Sequence, residues 1–325
     1  MAAHRVLAGT SLIATVRDEE QSLPGFLASL EVQTVHPAEI VVVDGGSADS
    51  TVTLLRAWCP ECGCRVRVQE APGAGISAGR NLAIRMAHNE RIVVTDAGTT
   101  PRHDWFARLT AGWDSAPDAV LAGFFEPTGD SFRSRAIAAV ITPTRDEIDP
   151  RNFLPSSRSV AFPREAWRAA GGYPEWLDYC EDLVFDLAIR RSGWGFAFVP
   201  DAVVAWMGRP TLSAFAKQYY RYARGDGKAG LYRRRHLLRY SAYAVALSAW
   251  WVSPWLVAAG LVGFVGYVGR PVRRVWARRG QFAHPQLVGA FLLTPVVVVV
   301  GDTAKMAGYP RGVLWRRRRV HGEAG

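Results

Sequence analysis

The sequence predicts an α/β fold, a domain built on a parallel sheet and followed by an apolar helical region. In residues 39–55, four apolar residues run into Asp44, two glycines and a helix start. Residues 11–122 alternate short β-branched runs with helix-periodic segments, and residues 240–268 carry no charge. A strand that ends in an acidic turn before a helix is typical of a sheet that binds a ligand at its carboxyl edge.

The alternation predicts the order of the elements. Strands are expected at residues 11–15, 40–43, 65–69, 91–95 and 119–122. Helical patterns separate the earlier strands, at residues 21–31, 51–58 (with Ser50 or Thr51 as its N-cap) and 77–88. Such alternation indicates a parallel sheet covered on both faces.

The pattern is less regular further on. Residues 125–165 are rich in Arg, Ser and Pro and are expected to form a long functional connection. Beyond it we expect a helix near Arg164, a helix over residues 178–192, two short strands within 196–207 and a helix over 211–224.

Charged residues are distributed unevenly along the chain. The formal net charge is +10, but residues 1–208 hold 19 Lys and Arg against 26 Asp and Glu, whereas residues 209–325 hold 20 against 3. A uniformly basic chain would suggest a nucleic-acid partner. Because this excess coincides with the most apolar segments, anionic lipid is favoured and nucleic acid is not expected.

The remaining composition gives two smaller predictions. Cys59, Cys62, Cys64 and Cys180 lack the second spaced pair of a structural zinc site, so "CPECGC" is expected to be a loop without a metal or a disulfide. The first twenty residues have too short an apolar run for a signal peptide, so they predict a first strand that starts in the cytoplasm.

The charge-free run at 240–268 is long enough to cross a membrane. As one straight helix it would measure about 44 Å, and Pro254 near its middle leaves a kinked span and a helical hairpin both open. A second run, at 287–301, would measure only about 22 Å. Arg clusters flank both runs, so the positive-inside rule leaves the number of crossings open.

Four stretches carry a family resemblance: "ATVRDEE", "VVVDGGSADST", "GAGISAGRNLAI" and "RIVVTDAGT". In order and spacing they resemble family 2 glycosyltransferases, over about residues 6–225. The resemblance implies a GT-A-type, Rossmann-like domain that binds a nucleotide-diphosphate sugar and transfers the sugar with inversion. We therefore expect this domain at 1–230 and a membrane-associated helical region at 231–325.

The resemblance also assigns donor-binding residues. Thr15, Arg17 and Glu19 would lie near the base, Asp44 would meet the nucleoside, and Arg80 would face a phosphate or base. Turn chemistry or surface ion pairs are the structural alternative for each. Ser77 is expected to cap the helix that carries Arg80.

The metal motif departs from the family pattern. The family form is Asp-x-Asp, whereas this strand ends in Asp96, Ala97 and Gly98. Asp96 is therefore the expected protein ligand of Mg²⁺ or Mn²⁺, because such a cation often takes few protein ligands beside phosphate oxygens.

Inverting transfer requires a general base. The stretch "DYCEDLVFDLAIRRSGW" matches the family's Glu-Asp motif, which makes Asp182 the base and puts Glu181 on the acceptor or diphosphate side. Asp178 and Glu181 are also spaced as a helix-capping pair, which is the structural alternative. The preceding "GGYPEW" would frame an acceptor pocket.

The segment "KQYYRYARG" resembles the Gln-x-x-Arg-Trp motif of the cellulose and hyaluronan synthase branch. Gln218, Arg221 and Tyr222 share one helical face. Arg221 would offset diphosphate charge and Tyr222 would stack on sugar, and an interfacial aromatic helix is the equal alternative.

Together these features predict a membrane-attached inverting glycosyltransferase with its catalytic domain on the cytoplasmic face of the cell membrane. Its partners would be a nucleotide-sugar donor, the lipid bilayer and a membrane-proximal acceptor, with a lipid-linked acceptor left open. A non-catalytic nucleotide-sugar or carbohydrate-binding protein is the alternative, and a nucleotidyltransferase would need a Gly-rich loop where "TVRDEE" stands. The enzymatic prediction requires Asp44, Asp96 and Asp182 to meet over one edge of the sheet.

Overall fold

The chain folds into two compact units. The computed structural model describes residues 5–322, so residues 1–4 and 323–325 of the two predicted domains lie outside the described residues. The first unit comprises Met1–Glu126 and Arg145–Trp206, and the second Pro127–Thr144 and Met207–Gly325. The division differs from the predicted boundary at residue 230, because an inserted segment and the helix before that boundary belong to the second unit.

The strands are β1 (Arg5–Val16), β2 (Val35–Asp44), β3 (Arg65–Glu70), β4 (Arg91–Val94), β5 (Thr99–Pro101), β6 (Val120–Thr128), β7 (Val160–Pro163) and β8 (Phe196–Met207). The helices of the first unit are α1 (Leu23–Glu31), α2 (Thr51–Ala57), α3 (Ile76–Met86), α4 (Trp105–Ser115), α6 (Arg164–Ala169) and α7 (Glu181–Arg191). The helices of the second unit are α5 (Phe132–Ile141), α8 (Leu212–Ala229), α9 (Arg233–Val252), α10 (Pro254–Ala277) and α11 (His284–Gly322).

One mixed sheet contains all eight of these strands, in the order β3-β2-β1-β4-β7-β6-β8-β5. The pairs β3-β2, β2-β1 and β1-β4 are parallel, whereas β4-β7, β7-β6 and β8-β5 are antiparallel. The prediction of a parallel sheet is therefore correct for the first four strands only. The strand predicted at 119–122 is β6, which runs antiparallel to β7.

Helices cover both faces of the sheet, as the alternation predicts. Leu12 and Ala14 of β1 pack with α1, α2 and α4, whereas Ile13 between them packs with α3, α6 and α7. Neighbouring residues of an extended strand point to opposite faces, so an apolar run of this kind indicates a strand buried on both sides.

Two predictions about the second half of the sheet are wrong. The two strands expected within 196–207 form one strand, β8, because the fixed φ of Pro200 is compatible with extended backbone. The expected irregular connection over 125–165 contains β7 and α5. Helix α5 forms there because the Ser131 side chain accepts a hydrogen bond from the Ser134 amide, 3.2 Å away, and caps the helix.

The second unit has an apolar core of its own. Helices α5, α8, α10 and α11 contribute buried side chains to it, among them Ile137, Phe215, Val275 and Val297. Helix α11 also lies directly on the backbone of α8: a Cβ added at Gly308 would come 2.1 Å from the Tyr220 carbonyl oxygen. Small residues permit so close an approach of two helices.

The first apolar run folds as a helical hairpin. Helix α9 ends at Val252, Ser253 is extended (φ −167°, ψ 134°), and α10 begins at Pro254. The hydroxyls of Tyr243 and Tyr267 both donate to Asp302, at 3.4 and 2.8 Å. In one straight helix those two tyrosines would lie about 36 Å apart, so the run doubles back.

Within residues 5–322, two helical segments are long and apolar enough to cross a membrane, Pro254–Ala277 and His284–Arg319. The hairpin leaves very large side chains exposed at its turn, with Trp251 87% and Trp255 83% exposed. Such exposure of large apolar side chains is typical of a surface that meets another apolar phase.

The segment "CPECGC" is a loop, as predicted, but the prediction that it forms no disulfide is wrong. Cys62 and Cys64 form a disulfide, with their Cα atoms 5.5 Å apart, beside the buried His36. Gly63 between them has a positive φ of 72°, which lets the chain turn back within a single residue. Cys59 and Cys180 take no part in a disulfide among the described residues.

Candidate active site

A buried arginine lies at the centre of the candidate site. Arg80, in the second turn of α3, is 2% exposed. Its Nη2 donates to Asp96 Oδ1 at 2.6 Å and its Nη1 donates to Glu181 Oε1 at 2.9 Å. The guanidinium also lies over the Tyr173 ring, 5.2 Å from its centroid. One cation therefore joins the loop after β4 to the first residue of α7.

Asp96 is the carboxylate that follows β4. Burial alone would raise its pKa, but the charges of Arg80 and Arg158 outweigh burial and lower the pKa below its ordinary value. The Asp96 side chain keeps 25% of its surface exposed. It is therefore an ionised carboxylate that reaches the surface at the carboxyl edge of the sheet.

Glu181 and Asp182 open α7. Cys180 precedes them in the left-handed conformation, with φ 66°. Burial, followed by the charge of Asp182, raises the pKa of Glu181 to about 6, because Arg80 shares its attraction with Asp96. Glu181 is buried, whereas Asp182 is half-buried. Within the described residues, the Asp182 carboxylate accepts one hydrogen bond, from the backbone amide of Leu183.

The Glu181 carboxylate does more than the local capping alternative predicts. It accepts a hydrogen bond from Arg80, which lies 101 positions earlier in the chain. Helix α7 begins at Glu181, three residues after Asp178.

Asp44 ends β2 and is 1% exposed. Its Oδ2 accepts hydrogen bonds from the amides of Gly46 and Ser47, at 2.9 and 3.0 Å, and the Ser47 hydroxyl donates to Oδ1. The side chain thus stabilises its own turn. In the sheet order β1 separates β2 from β4, so Asp44 and Asp96 follow two strands of the same carboxyl edge that have one strand between them.

The loop after β1 interlocks with that turn. The Asp18 amide donates to the Ser47 hydroxyl at 2.9 Å, and the Glu19 amide donates to the Thr51 hydroxyl at 2.8 Å. The Glu19 carboxylate also accepts a hydrogen bond from Ser22. The Arg17 side chain is 63% exposed, and its Nε lies 3.8 Å from Asp18 Oδ2.

Thr15 lies one residue before the end of β1, beside α3. A Cβ at Gly79 would come 2.9 Å from Thr15 Cγ2. The glycine one position before Arg80 therefore lets α3 approach β1 closely enough to insert the guanidinium beneath the edge of the sheet.

Two expected helix caps differ in the structure. Helix α3 begins at Ile76 after Gly75, so Ser77 lies inside the helix, and its buried hydroxyl has no hydrogen-bond partner among the described residues. At α2, the N-cap Ser50 makes no side-chain cap, and Asp49 Oδ1 instead accepts from the Thr51 amide at 3.0 Å.

Gln218, Arg221 and Tyr222 belong to the second unit. The Gln218 amide donates to the Tyr222 hydroxyl at 2.7 Å, and Gln218 Oε1 accepts from Arg209 at 3.2 Å. The shared helical face is therefore correct for Gln218 and Tyr222. Arg221 lies on the same helix, α8, and is half-buried.

Comparisons with known proteins bear on the family and the fold. Residues 11–161 match the family model described as "Glycosyl transferase family 2". The succinoglycan biosynthesis protein ExoA of Rhizobium meliloti (strain 1021) is 25% identical over 303 residues, which cover 87% of this chain and 88% of that protein. This chain is a glycosyltransferase that is similar to family 2 over residues 11–161.

Solved structures share the GT-A fold of this glycosyltransferase. The mannosyltransferase PcManGT from Pyrobaculum calidifontis, in complex with GDP-Man and Mn²⁺, has a TM-score of 0.58 at 18% identity, over 94% of this chain and 87% of that one. TarS 1-349 of S. aureus, in complex with UDP-GlcNAc, has a TM-score of 0.50 at 15% identity, over 96% and 92%. The predicted α/β fold class is confirmed.

The glycosyltransferase also contains residues that sequence reasoning missed. Arg158 lies in the segment expected to be irregular, yet its charge acts on Asp96. Asp186 lies four residues after Asp182 and is buried, and burial followed by the charge of Asp182 raises its pKa well above the ordinary value. The spacing of Asp182 and Asp186 on one helical face was visible in the sequence, but burial of the second acid was not.

A cavity of about 700 Å³ lies beside the "GGYPEW" segment. Trp167, Tyr173 and Trp176 line it, together with Arg85 of α3. Neither Asp96 nor Asp182 lines this cavity, so it is a separate recess and not the expected shared pocket of the carboxylates.

Proposed function

We propose that this glycosyltransferase inverts the donor sugar at its anomeric carbon and transfers it to a hydroxyl of a membrane-proximal acceptor. The observation that carries the proposal is the Arg80 bridge. It ties Asp96, after β4, to Glu181, the immediate neighbour of Asp182. A carboxylate suited to the diphosphate side and a carboxylate suited to the acceptor side are thereby held at one edge of the sheet.

In the proposed reaction Asp182 is the general base. Its half-buried carboxylate takes the proton of the acceptor hydroxyl as the acceptor oxygen bonds to the anomeric carbon. The bond from that carbon to the diphosphate oxygen breaks, and the nucleoside diphosphate leaves with the electron pair. Glu181 is a poorer candidate for the base, because its carboxylate is buried and bonded to Arg80.

The donor would lie along the edge formed by β1, β2 and β4. We assign Thr15, Arg17, Glu19 and Asp44 to the nucleoside end, as the family resemblance implies. Because the Arg80 guanidinium is buried between two carboxylates, we propose that Arg80 positions Asp96 and Glu181 rather than contacting the donor itself.

A divalent cation, Mg²⁺ or Mn²⁺, fits the site with Asp96 as its protein ligand. Carboxylate oxygen is the ligand type that both ions prefer, and part of this side chain is exposed. Among the described residues, no cluster of three His, Cys, Asp or Glu ligand atoms includes Asp96, so the diphosphate would supply most of the remaining ligands. When bound, the cation would stabilise the charge that develops on the leaving diphosphate.

We propose a cell-membrane location with the catalytic unit on the cytoplasmic face. The exposed apolar hairpin and the Arg clusters at both its ends support this placement, because basic residues favour the cytoplasmic side. We assign Arg221 to diphosphate charge and Tyr222 to sugar stacking, as the resemblance to the synthase branch implies, and a lipid-linked acceptor would be delivered from the bilayer.

A donor screen tests the proposed function. Nucleotide sugars, GDP-Man and UDP-GlcNAc among them, are screened for thermal stabilisation of the full chain, since a ligand that binds only the folded state raises stability by mass action. Release of nucleoside diphosphate from the selected donor is then measured with and without Mn²⁺. We expect both binding and release. Binding without release, under all metals and acceptors tried, would favour the non-catalytic alternative.

A further inference from the structure

A cluster of metal-ligating side chains lies away from the candidate active site. His36 is the second residue of β2, at the end of that strand opposite to Asp44. Cys62 and Cys64 lie in the loop between α2 and β3. One ring nitrogen of His36 and the two sulfur atoms all lie within 4.8 Å of one another. We call these three residues the Cys-His cluster.

The Cys-His cluster has the donor atoms of a zinc site. Thiolate sulfur binds Zn²⁺ at about 2.3 Å and imidazole nitrogen at about 2.0 Å, so the donor atoms of one tetrahedral ion lie about 3.5–3.8 Å apart. Small side-chain shifts bring the cluster to those distances. Mg²⁺ and Mn²⁺ prefer oxygen ligands, so this set selects a thiophilic ion, unlike the carboxylate of Asp96.

A fourth ligand precedes the two cysteines in the chain. Cys59 comes three residues before Cys62, and Cys-x-x-Cys is a spacing at which one loop presents two cysteines to one zinc ion. The Cys59 side chain is exposed, so it can turn to the ion without leaving a packed site. The sequence predicts no metal because it lacks a second spaced pair, but the fold brings His36 to the loop instead. Three cysteines and one histidine are a complete ligand set for structural zinc.

The loop that carries the cysteines is fixed by one carboxylate. Glu31, the last residue of α1, accepts a hydrogen bond from Trp58 Nε1 at 2.6 Å and from the Glu61 amide at 3.3 Å. These two donors lie on either side of Cys59 in the chain. The loop is therefore held around Cys59 before any ion binds, which lowers the ordering cost of binding.

Backbone amides also prepare the loop for a metal. The Gly63 amide donates to the Pro60 carbonyl oxygen at 3.3 Å, which closes a turn around Cys62. The Cys64 amide donates to Cys62 Sγ at 3.4 Å. A hydrogen bond to a sulfur atom favours its charged form, and the thiolate is the form that binds a metal.

We propose that the loop, with its cysteines reduced, binds one structural Zn²⁺ ion through three cysteines and a histidine. The ligands are His36, Cys59, Cys62 and Cys64. The inference rests on the proposed cytoplasmic location of the catalytic unit, because cytoplasmic thiols are kept reduced. The bound ion ties the loop after α2 to the first turn of chain in β2.

The disulfide and zinc forms exclude each other, because zinc binds thiolates and a disulfide contains none. A dithiol reductant reduces the bond between Cys62 and Cys64 to two thiols and becomes oxidised to its own disulfide. Zn²⁺ then displaces the protons of the thiols, which pass to the solvent. Oxidation of the same two cysteines reverses this sequence and releases the ion.

The zinc content of the full chain tests the site. The protein is purified in detergent with dithiothreitol, equilibrated with ZnCl₂ and passed over a chelating resin, and the metal retained per chain is measured by mass spectrometry. We expect about one zinc ion per chain, since structural zinc sites bind tightly at neutral pH. A wild-type protein that retains no zinc would overturn the proposal.

Single variants locate the ion. Cys62→Ser and Cys64→Ser each remove one ligand sulfur at nearly constant volume, and His36→Gln removes the ring nitrogen. We expect each to lower zinc affinity about 100-fold or more in competition with a chromophoric chelator, because even partners outside the ligand shell contribute about 10–100-fold. Cys180→Ser and His103→Gln are the matched controls outside the Cys-His cluster. Equal losses in the controls, or unchanged affinity in both cysteine variants, would overturn the site.

Zinc-edge X-ray absorption of the loaded protein counts the ligands. We expect three sulfur atoms at about 2.3 Å and one nitrogen at about 2.0 Å in the wild type, and two sulfur atoms in Cys59→Ser. A spectrum dominated by oxygen ligands would overturn the site. Two sulfur atoms in both proteins would overturn the assignment of Cys59.

Two further arms separate this site from the enzymatic reaction. Asp96→Asn should retain the zinc, and its loss there would place the ion at the carboxyl edge and overturn the proposal. Oxidised glutathione, which leaves as two thiols, should release the zinc, and zinc that remains after the disulfide between Cys62 and Cys64 has formed would contradict exclusive forms. Because zinc content is measured without sugar transfer, retained zinc without nucleotide release would contradict only the proposed transfer.

Discussion

Replacing Arg80 with methionine removes the charge at the centre of the site but keeps most of the side-chain volume. The change leaves Asp96 and Glu181, 25% and 11% exposed, as carboxylates without their shared cation. Breaking a buried ion pair on one side costs about 3–5 kcal/mol, and the partial exposure of Asp96 puts the expected loss near 3 kcal/mol. For a unit of this size, the loss lowers the melting temperature by about 6–12 °C.

The loss of stability in the Arg80→Met variant should depend on pH. In the wild type, Glu181 has a pKa of about 6, against an ordinary value of 4.5. The free energy of unfolding therefore falls as the pH rises through that interval and Glu181 ionises. At neutral pH this ionisation costs about 2 kcal/mol. Asp96 has a lowered pKa, so its contribution is present above 3.8 and is lost as the pH falls below it. Without Arg80 both pKa values rise, and the deficit of the variant should shrink on acidification towards about pH 5.

Denaturant unfolding of the full chain in detergent, at about pH 8 and about pH 5, measures this difference. The double variant Arg80→Met with Glu181→Gln should recover part of the loss, because it removes one of the unpaired charges. A variant as stable as the wild type at neutral pH, or a deficit that grows on acidification, would refute the account of the ion-pair bridge.

Three further variants concern the metal edge, the packing of α3 and the apolar hairpin. Gly98→Asp restores the family's second metal carboxylate into open space, and should lower the half-saturating Mn²⁺ concentration for nucleotide release about tenfold. Gly79→Ala places a methyl group against Thr15, and should destabilise the fold by about 1 kcal/mol or more despite the better helix propensity of alanine, as measured by denaturant unfolding. Trp251→Ser with Trp255→Ser removes two strongly exposed aromatic side chains of the hairpin, and should weaken vesicle binding about tenfold or more in sedimentation.

Each of these predictions has a matched control. Gly98→Asn adds nearly the same volume without the charge, and an equal shift in Mn²⁺ dependence would contradict a metal role for this edge. Gly25→Ala fills open space within α1 and should be neutral or stabilising, so an equal loss there would contradict the contact with Thr15. Trp176→Ser removes an exposed tryptophan of the first unit, and it should leave vesicle binding unchanged.

The features that sequence predicts well are local ones. The buried run before Asp44 predicts β2 because a strand covered on both faces is apolar throughout, and β2 ends at Asp44 as expected. The break at Pro254 indicated a hairpin or a kink, and only tertiary contacts with Asp302 distinguish the two.

The features that sequence does not predict depend on distant partners. Arg80 was expected to face the donor, but its position is decided by Glu181, far along the chain. The predicted cap at Ser77 is wrong because helix ends shift by one or two residues at little cost. Strand β5 has three residues, too few for a periodic pattern.

Sugar transfer by the Asp182→Asn variant tests the central claim most directly. With the donor selected by thermal stabilisation, we predict nearly unchanged donor binding and a loss of transfer of about 10²-fold or more, as expected when a general base is removed. Asp178→Asn, in the same acidic segment, should transfer at close to the wild-type rate. Unchanged transfer by Asp182→Asn would contradict the account.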